Sequence, residues 1–181
     1  MTKLGGILSG GQFGGWEVID NDASGLPQDL ASGFGLVTEK LLGATYTPIK
    51  VLAKQLVNGY NYLTLAEKTV VSNKPEKSVV AMIINIPAGD IKGEKAGLVK
   101  IIEPEELEPE IQDGFEQVVG QIVGVNYRPI IVLGTQVVKG INYYVICEGK
   151  TVTATPDVFA AEVVLNLFEG KWSLAKFDRI G

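Results

Sequence analysis

The residue types that do most enzyme chemistry are nearly missing from this chain. It has no histidine, and so lacks the commonest general base, the commonest metal ligand and the side chain that titrates near neutral pH. Its one cysteine, Cys147, has no partner for an internal disulfide and no imidazole to activate it, so it reads as a buried strand residue. Asp20 and Asp22 have the spacing of calcium-loop ligands. Gly25 and a missing glutamate leave that pattern incomplete, and the pair reads as polarity ahead of a helix. No paired carboxylates stand out for acid–base work. These residues point away from an enzyme, with no catalytic residue, no cofactor and no metal site expected.

Residues suited to binding do recur. Gln55-Leu56-Val57-Asn58-Gly59 and Gln136-Val137-Val138-Lys139-Gly140 both fit Gln-x-Val-x-Gly, and Asn61-Tyr62 and Asn142-Tyr143 follow them. Asn-Gly and Lys-Gly are turn chemistry, since glycine tolerates the positive φ of a tight hairpin, so each motif on its own describes a hairpin tip.

The elements that must position these tips form a repeat. Shifting the chain by 81 residues lays 26–65 on 107–146 without a gap, with roughly 15 identities in about 40 positions. Phe34 meets Phe115, Gly43 meets Gly124, Pro48 meets Pro129, and Asn85 and Asn166 share the same offset. Each copy of about 80 residues is long enough for a small core. In the first, Leu30, Phe34, Val37, Leu41 and Leu42 recur at helical spacing and predict a helix over 27–44. Gly33, Gly35 and Gly43 weaken it, so it must rely on packing, with a sheet approaching its backbone closely. Stretches rich in Val, Ile, Thr and Tyr predict strands at 46–57, 60–71, 79–86 and 97–102, then at 127–138, 141–149, 159–168 and 173–177. The expected fold class is α+β: two tandem domains, each one helix packed on a curved antiparallel sheet. The domains are expected at 1–102 and 111–181, joined by an acidic, proline-containing linker at 103–110.

Composition bounds the partners. A hydrophobic content of 46% and a charged content of 20% suit a chain with a core. A net charge of −5 provides no basic footprint, so neither nucleic acid nor an anionic membrane is expected as a partner. The N-terminal stretch is too short and too broken by glycine for a signal peptide. As written the chain is expected in the cytoplasm, or secreted if it is a trimmed mature form.

The order of features resembles the cystatin superfamily of cysteine protease inhibitors, and in particular its stefin and plant-cystatin members. Gly14-Gly15-Trp16 precedes Gln55 by about 40 residues. Gln136-Val137-Val138-Lys139-Gly140-Ile141-Asn142-Tyr143 is similar to the stefin hairpin, and Phe168-Glu169-Gly170-Lys171-Trp172 puts a tryptophan at the second hairpin. The resemblance implies a thiol protease inhibitor. Its N-terminal trunk and two hairpins would form an apolar wedge that plugs the cleft of a papain-like cysteine protease without reacting. The implied protease-binding residues are Gly14, Gly15, Trp16, Gln55, Leu56, Val57, Asn58, Gly59, Gln136, Val137, Val138, Lys139, Gly140 and Trp172. The first copy has the trunk, but its second turn, residues 87–95, is long, polar and without tryptophan; the second copy has Trp172 but no glycine trunk. The rival reading is a non-inhibitory cystatin-fold binding module for a protein or peptide partner. The expected state is a monomer, with a domain-swapped dimer through the hairpins as the other option.

Overall fold

The computed structural model describes residues 15–22 and 25–181, with the backbone alone at 20–22. The chain divides into two compact units, the first ending at Ile102 and the second taking Glu103 to Gly181. In the first unit, β1 (Trp16–Asp22), α1 (Gln28–Thr38), β2 (Ala44–Val57), β3 (Gly59–Val70), β4 (Lys77–Pro87) and β5 (Gly97–Ile102) form a five-stranded antiparallel sheet in order β1-β2-β3-β4-β5, with one helix. In the second, α2 (Pro109–Val119), β6 (Val125–Val138), β7 (Gly140–Thr151), β8 (Val158–Phe168) and β9 (Lys171–Arg179) form a four-stranded antiparallel sheet in order β6-β7-β8-β9.

This corrects the fold class. The protein is mostly antiparallel sheet, 56% strand against 14% helix, and not the α+β architecture expected. The helical pattern overstated the helix. Expected to run to Ala44, α1 stops at Thr38, whose hydroxyl turns back to donate to the Phe34 carbonyl. Gly43, at φ +87°, then swings the chain into β2. Strands of 11 to 14 residues dominate instead. The central ones bury both faces, which masks their alternation in the sequence. On β3 and β4, Tyr62, Met82 and Ile84 point one way while Leu63, Leu65 and Ala81 point the other, and all are buried.

The 81-residue repeat is visible in backbone detail. Strand β2 shifts register between Pro48 and Lys50 and again between Val51 and Ala53. Strand β6 does the same between Pro129 and Ile131 and between Val132 and Gly134. Such bulges bend a long strand, and proline is tolerated there because the ladder is already interrupted. The bent sheets leave room for the apolar helix stripes. Leu30, Phe34 and Val37 cluster with Val51, Tyr62, Met82 and Ile84, and Ile111, Phe115 and Val119 cluster with Val132, Val145, Cys147 and Val163.

The acidic segment after Ile102 is tied to the second unit. The Glu105 amide donates to the Pro129 carbonyl, Leu107 packs against the core, and the Leu107 amide donates to Gln112 Oε1. Pro109 and Glu110 already belong to the first turn of α2, where a missing N–H costs nothing. Asp20 and Asp22 belong to strand β1 and not to the entry of α1, which begins at Gln28.

Candidate functional site

In the first unit a straight polar rung crosses the sheet near one end. Register places Trp16 opposite Gln55, Gln55 opposite Asn61, Asn61 opposite Asn85, and Asn85 opposite Gly97. Asn85 Nδ2 donates to Asn61 Oδ1 at 2.9 Å, and Asn61 Nδ2 donates to Gln55 Oε1 at 3.2 Å. Gln55 is buried and its side-chain oxygen is satisfied, so it fixes the hairpin base and presents little to a partner. Beyond the rung lie Gly15, the β2–β3 tip and the β4–β5 connection. The Gly15–Trp16 start, the Gln55 to Gly59 hairpin and residues 87–96 therefore share one edge. Gly14 lies outside the described residues.

Exposed apolar residues sit at the β2–β3 tip, beside the exposed charges of Lys92, Glu94 and Lys95 on the β4–β5 connection. Leu56 is 71% exposed and Val57 40%, while Asn58 carries the turn and Gly59 sits at φ +99° with its Cα facing the Ile86 carbonyl oxygen. A side chain at Gly59 would be strained by φ and would meet that backbone. Trp16 is half-buried.

The second unit repeats the rung with one exchange. Gln136 faces Asn142, which faces Asn166, which faces Ser173; Asn166 Nδ2 donates to Asn142 Oδ1 at 2.9 Å. Here the Gln136 side chain accepts from the Tyr144 hydroxyl at 2.8 Å. Asn166 Nδ2 also reaches the Lys139 carbonyl at 3.2 Å and so ties the hairpin tip to β8. Val137 is 85% exposed, Val138 44%, and Gly140 has φ +88°. The Lys139 ammonium lies 5.1 Å from the Phe168 ring centre, which joins the two turns. Trp172 is half-buried: its ring packs on α2 at Gly114 and lies 5.4 Å from the Tyr143 ring. The second edge thus brings together two turns, and among the described residues β6 ends its sheet where β1 flanks β2 in the first unit.

Among the described residues no nucleophile or acid–base pair emerges. Cys147 is fully buried, its thiol 3.6 Å from the Ala161 carbonyl, and burial, reinforced by Glu148, pushes its pKa up to about 12. Such a thiol stays protonated and unreactive near neutrality. Among the described residues no cluster of acidic or sulfur side chains could hold a metal, and no helix is long and apolar enough to cross a membrane.

Sequence reasoning missed the rung, although the shared offset of Asn61 with Asn142 and of Asn85 with Asn166 carried its signal. It also missed Asp90, Ile91 and Gly93 in the first unit, which have no counterpart in the repeat. No protein-family model, curated protein or solved structure matches the chain, and nothing in those comparisons identifies it with the cystatin superfamily.

Proposed function

We propose that the protein is a reversible inhibitor of papain-like cysteine proteases, acting by insertion of its exposed loop edges into the active-site cleft. The observation that carries this reading is the gathering of the Gly15–Trp16 start, the Gln55 to Gly59 hairpin and the 87–96 connection at one end of a sheet. A hairpin and a connection braced by a hydrogen-bonded rung lose little conformational freedom on docking, and exposed Leu56 and Val57 offer apolar surface to bury. The mechanism demands no reactive group of the inhibitor, in keeping with the protonated, buried Cys147. The first unit, with three segments at its edge, is the stronger inhibitor; the second, with Val137, Lys139 and Trp172, is the weaker.

Charging the turn glycines is a poor test, because Gly59 and Gly140 need positive φ and substitution would distort the hairpins whatever they bind. Leu56→Asp and Val137→Asp place a carboxylate on exposed side chains at matched positions of the two hairpins. Titration of several papain-like proteases against a fluorogenic peptide should show Leu56→Asp weakening inhibition by roughly tenfold or more, as for a truncated hot spot, and the double variant weakening it further. A double variant as potent as the parent, or a parent that inhibits none of the proteases, would overturn the reading. The second result would favour a non-inhibitory binding module.

A further inference from the structure

Asparagines serve two ends in this chain. Asn61, Asn85, Asn142 and Asn166 have their side-chain amides engaged in the two rungs. Asn58 differs. It is exposed at the β2–β3 tip, on the wall of the open groove that Leu56, Val57 and Ile86 also line, and its side chain bonds to none of the described residues. Alone among the asparagines it is followed by glycine. Asn73 is exposed too, but Lys74 after it carries a side chain, and the Lys74 amide donates to Ser72 Oγ at 3.2 Å. At the matched tip of the second unit stands Lys139-Gly140.

An asparagine ahead of glycine can react with its own backbone. The Gly59 nitrogen bonds to the Asn58 side-chain carbonyl carbon, the bond from that carbon to Nδ2 breaks, and ammonia leaves with the proton that the Gly59 nitrogen gives up. The product is a five-membered cyclic imide. Water then opens the ring at either carbonyl and leaves an aspartyl or an isoaspartyl linkage, so that one amide and one water become one carboxylic acid and one ammonia. Ring closure within one residue pair is favoured by proximity, and glycine has no side chain to crowd the approach. Lys139 has no side-chain carbonyl with which to close such a ring. The place makes the product matter. An aspartyl linkage sets a carboxylate beside exposed Leu56 and Val57, where docking would bury apolar surface. An isoaspartyl linkage inserts a methylene into the backbone, and Gly59, at φ +99° with its Cα facing the Ile86 carbonyl, leaves little slack for it.

We propose that Asn58 is a self-modifying site, converted spontaneously to a carboxylate in the folded protein, and that this conversion ages the first edge while sparing the second. The loss of binding rests on the inhibitory reading above; the modification does not. The full chain is aged at mildly alkaline pH and followed peptide by peptide by mass spectrometry, with an isoaspartyl-specific methyltransferase as second readout. Asn58 should convert at least about tenfold faster than Asn73. Ammonia should appear in step, and Asn58→Lys, which copies the second tip, should show no conversion there. Conversion at Asn58 no faster than at Asn73, or conversion only after unfolding in urea, overturns the site. The same ageing in a Val137→Asp background, which silences the second edge, reports on the first edge alone. Inhibition should fall at least about tenfold on full conversion. Asn58→Asp should show part of that loss without ageing, and Asn58→Lys should keep its own starting potency throughout. Full conversion with unchanged potency overturns the ageing of the edge while the modified site and the inhibitory reading stand. Absence of inhibition in the unsubstituted chain overturns that reading and the loss of binding with it, and leaves the chemistry at Asn58 to its own result.

Discussion

Gly33 in α1 and Gly114 in α2 occupy the same place in the repeat, and each admits a neighbour that a side chain would exclude. A Cβ on Gly33 would lie 2.7 Å from the Ala96 Cβ and 2.8 Å from Ile86 Cδ1; one on Gly114 would enter the Trp172 ring. The visitors also correspond. Asn85 faces Gly97 and Asn166 faces Ser173, so the next residues toward the edge are Ala96 and Trp172. In the first unit a methyl group and a folded-back loop fill the space above the helix. In the second, a two-residue turn with positive φ at both Glu169 and Gly170 leaves that space to an indole. What the two copies share is the requirement for close approach of helix and sheet, while the group that meets it has changed with the loop.

The largest expected effect breaks the second half of this comparison. Trp172→Ala should destabilise the second unit by about 2–4 kcal/mol, below the loss for a fully buried tryptophan because the ring is half-exposed. Ala96→Gly, its counterpart, should cost the first unit less than about 1 kcal/mol. Gly114→Ala should cost about 1–3 kcal/mol through overpacking against the ring, and much of that cost should vanish in the Gly114→Ala, Trp172→Ala double variant. Urea unfolding followed by peptide-resolved hydrogen exchange separates the units. Strict additivity of the two substitutions would mean that Gly114 is there for some reason other than the indole.

How much of this was legible beforehand follows from the same residues. The repeat exposed the paired hairpins, the paired asparagines and the weak, glycine-bearing helices, because identities at one offset need no knowledge of packing. The weight of sheet over helix was less legible. Helical spacing continues through Leu41 and Leu42, yet the helix ends at Thr38, and Leu42 is 95% exposed. Apolar spacing cannot see that Gly43 will take a positive φ. The first strand was hidden because Asp20 and Asp22 read as polarity ahead of a helix, while backbone pairing to β2 makes Asn21 and Asp22 part of a strand. The 87–95 turn is long and polar as its composition says, but composition does not show how it folds. Asp90 counts as polar surface until its carboxylate is seen on two amides, and Ile91 is one apolar residue among charges until the fold sets it beside Leu56.

Alkaline pH should distinguish the units by a smaller amount. The Cys147 thiol, ordinarily near 9, is raised to about 12 in the folded second unit; in the first, Tyr62, ordinarily 10, is raised to about 12 by burial, with Asp29 and Tyr60 adding to it. A folded pKa above the unfolded one means that the stabilisation is complete below the unfolded pKa and is lost as pH climbs toward the folded value. The second unit therefore begins to weaken near pH 9, by about 1 kcal/mol at pH 10, and the first only from about pH 10. The chain has two tryptophans, one in each unit, so Trp16→Phe leaves Trp172 as sole reporter of the second. Its urea midpoint should fall from about pH 8 to about pH 10, and Cys147→Ala should flatten that fall. An unchanged slope in Cys147→Ala would place the titrating group elsewhere.

The finest difference concerns how each rung satisfies its glutamine. Gln136 accepts from the Tyr144 hydroxyl, whereas Gln55 accepts from Asn61, inside the rung itself. Tyr144→Phe removes one hydrogen bond on a half-buried side chain and should cost about 0.5–1 kcal/mol, with the β6–β7 tip otherwise intact. Asn61→Ala removes the donor to buried Gln55 and the acceptor for Asn85 together, two hydrogen bonds against one, so its cost should be higher, about 1–3 kcal/mol. Equal costs would mean that the tyrosine replaces the asparagine without loss. A larger cost at Asn61 would show that the first unit concentrates the rigidity of its edge in the rung, which spans the strands that carry both the β2–β3 tip and the start of the β4–β5 connection.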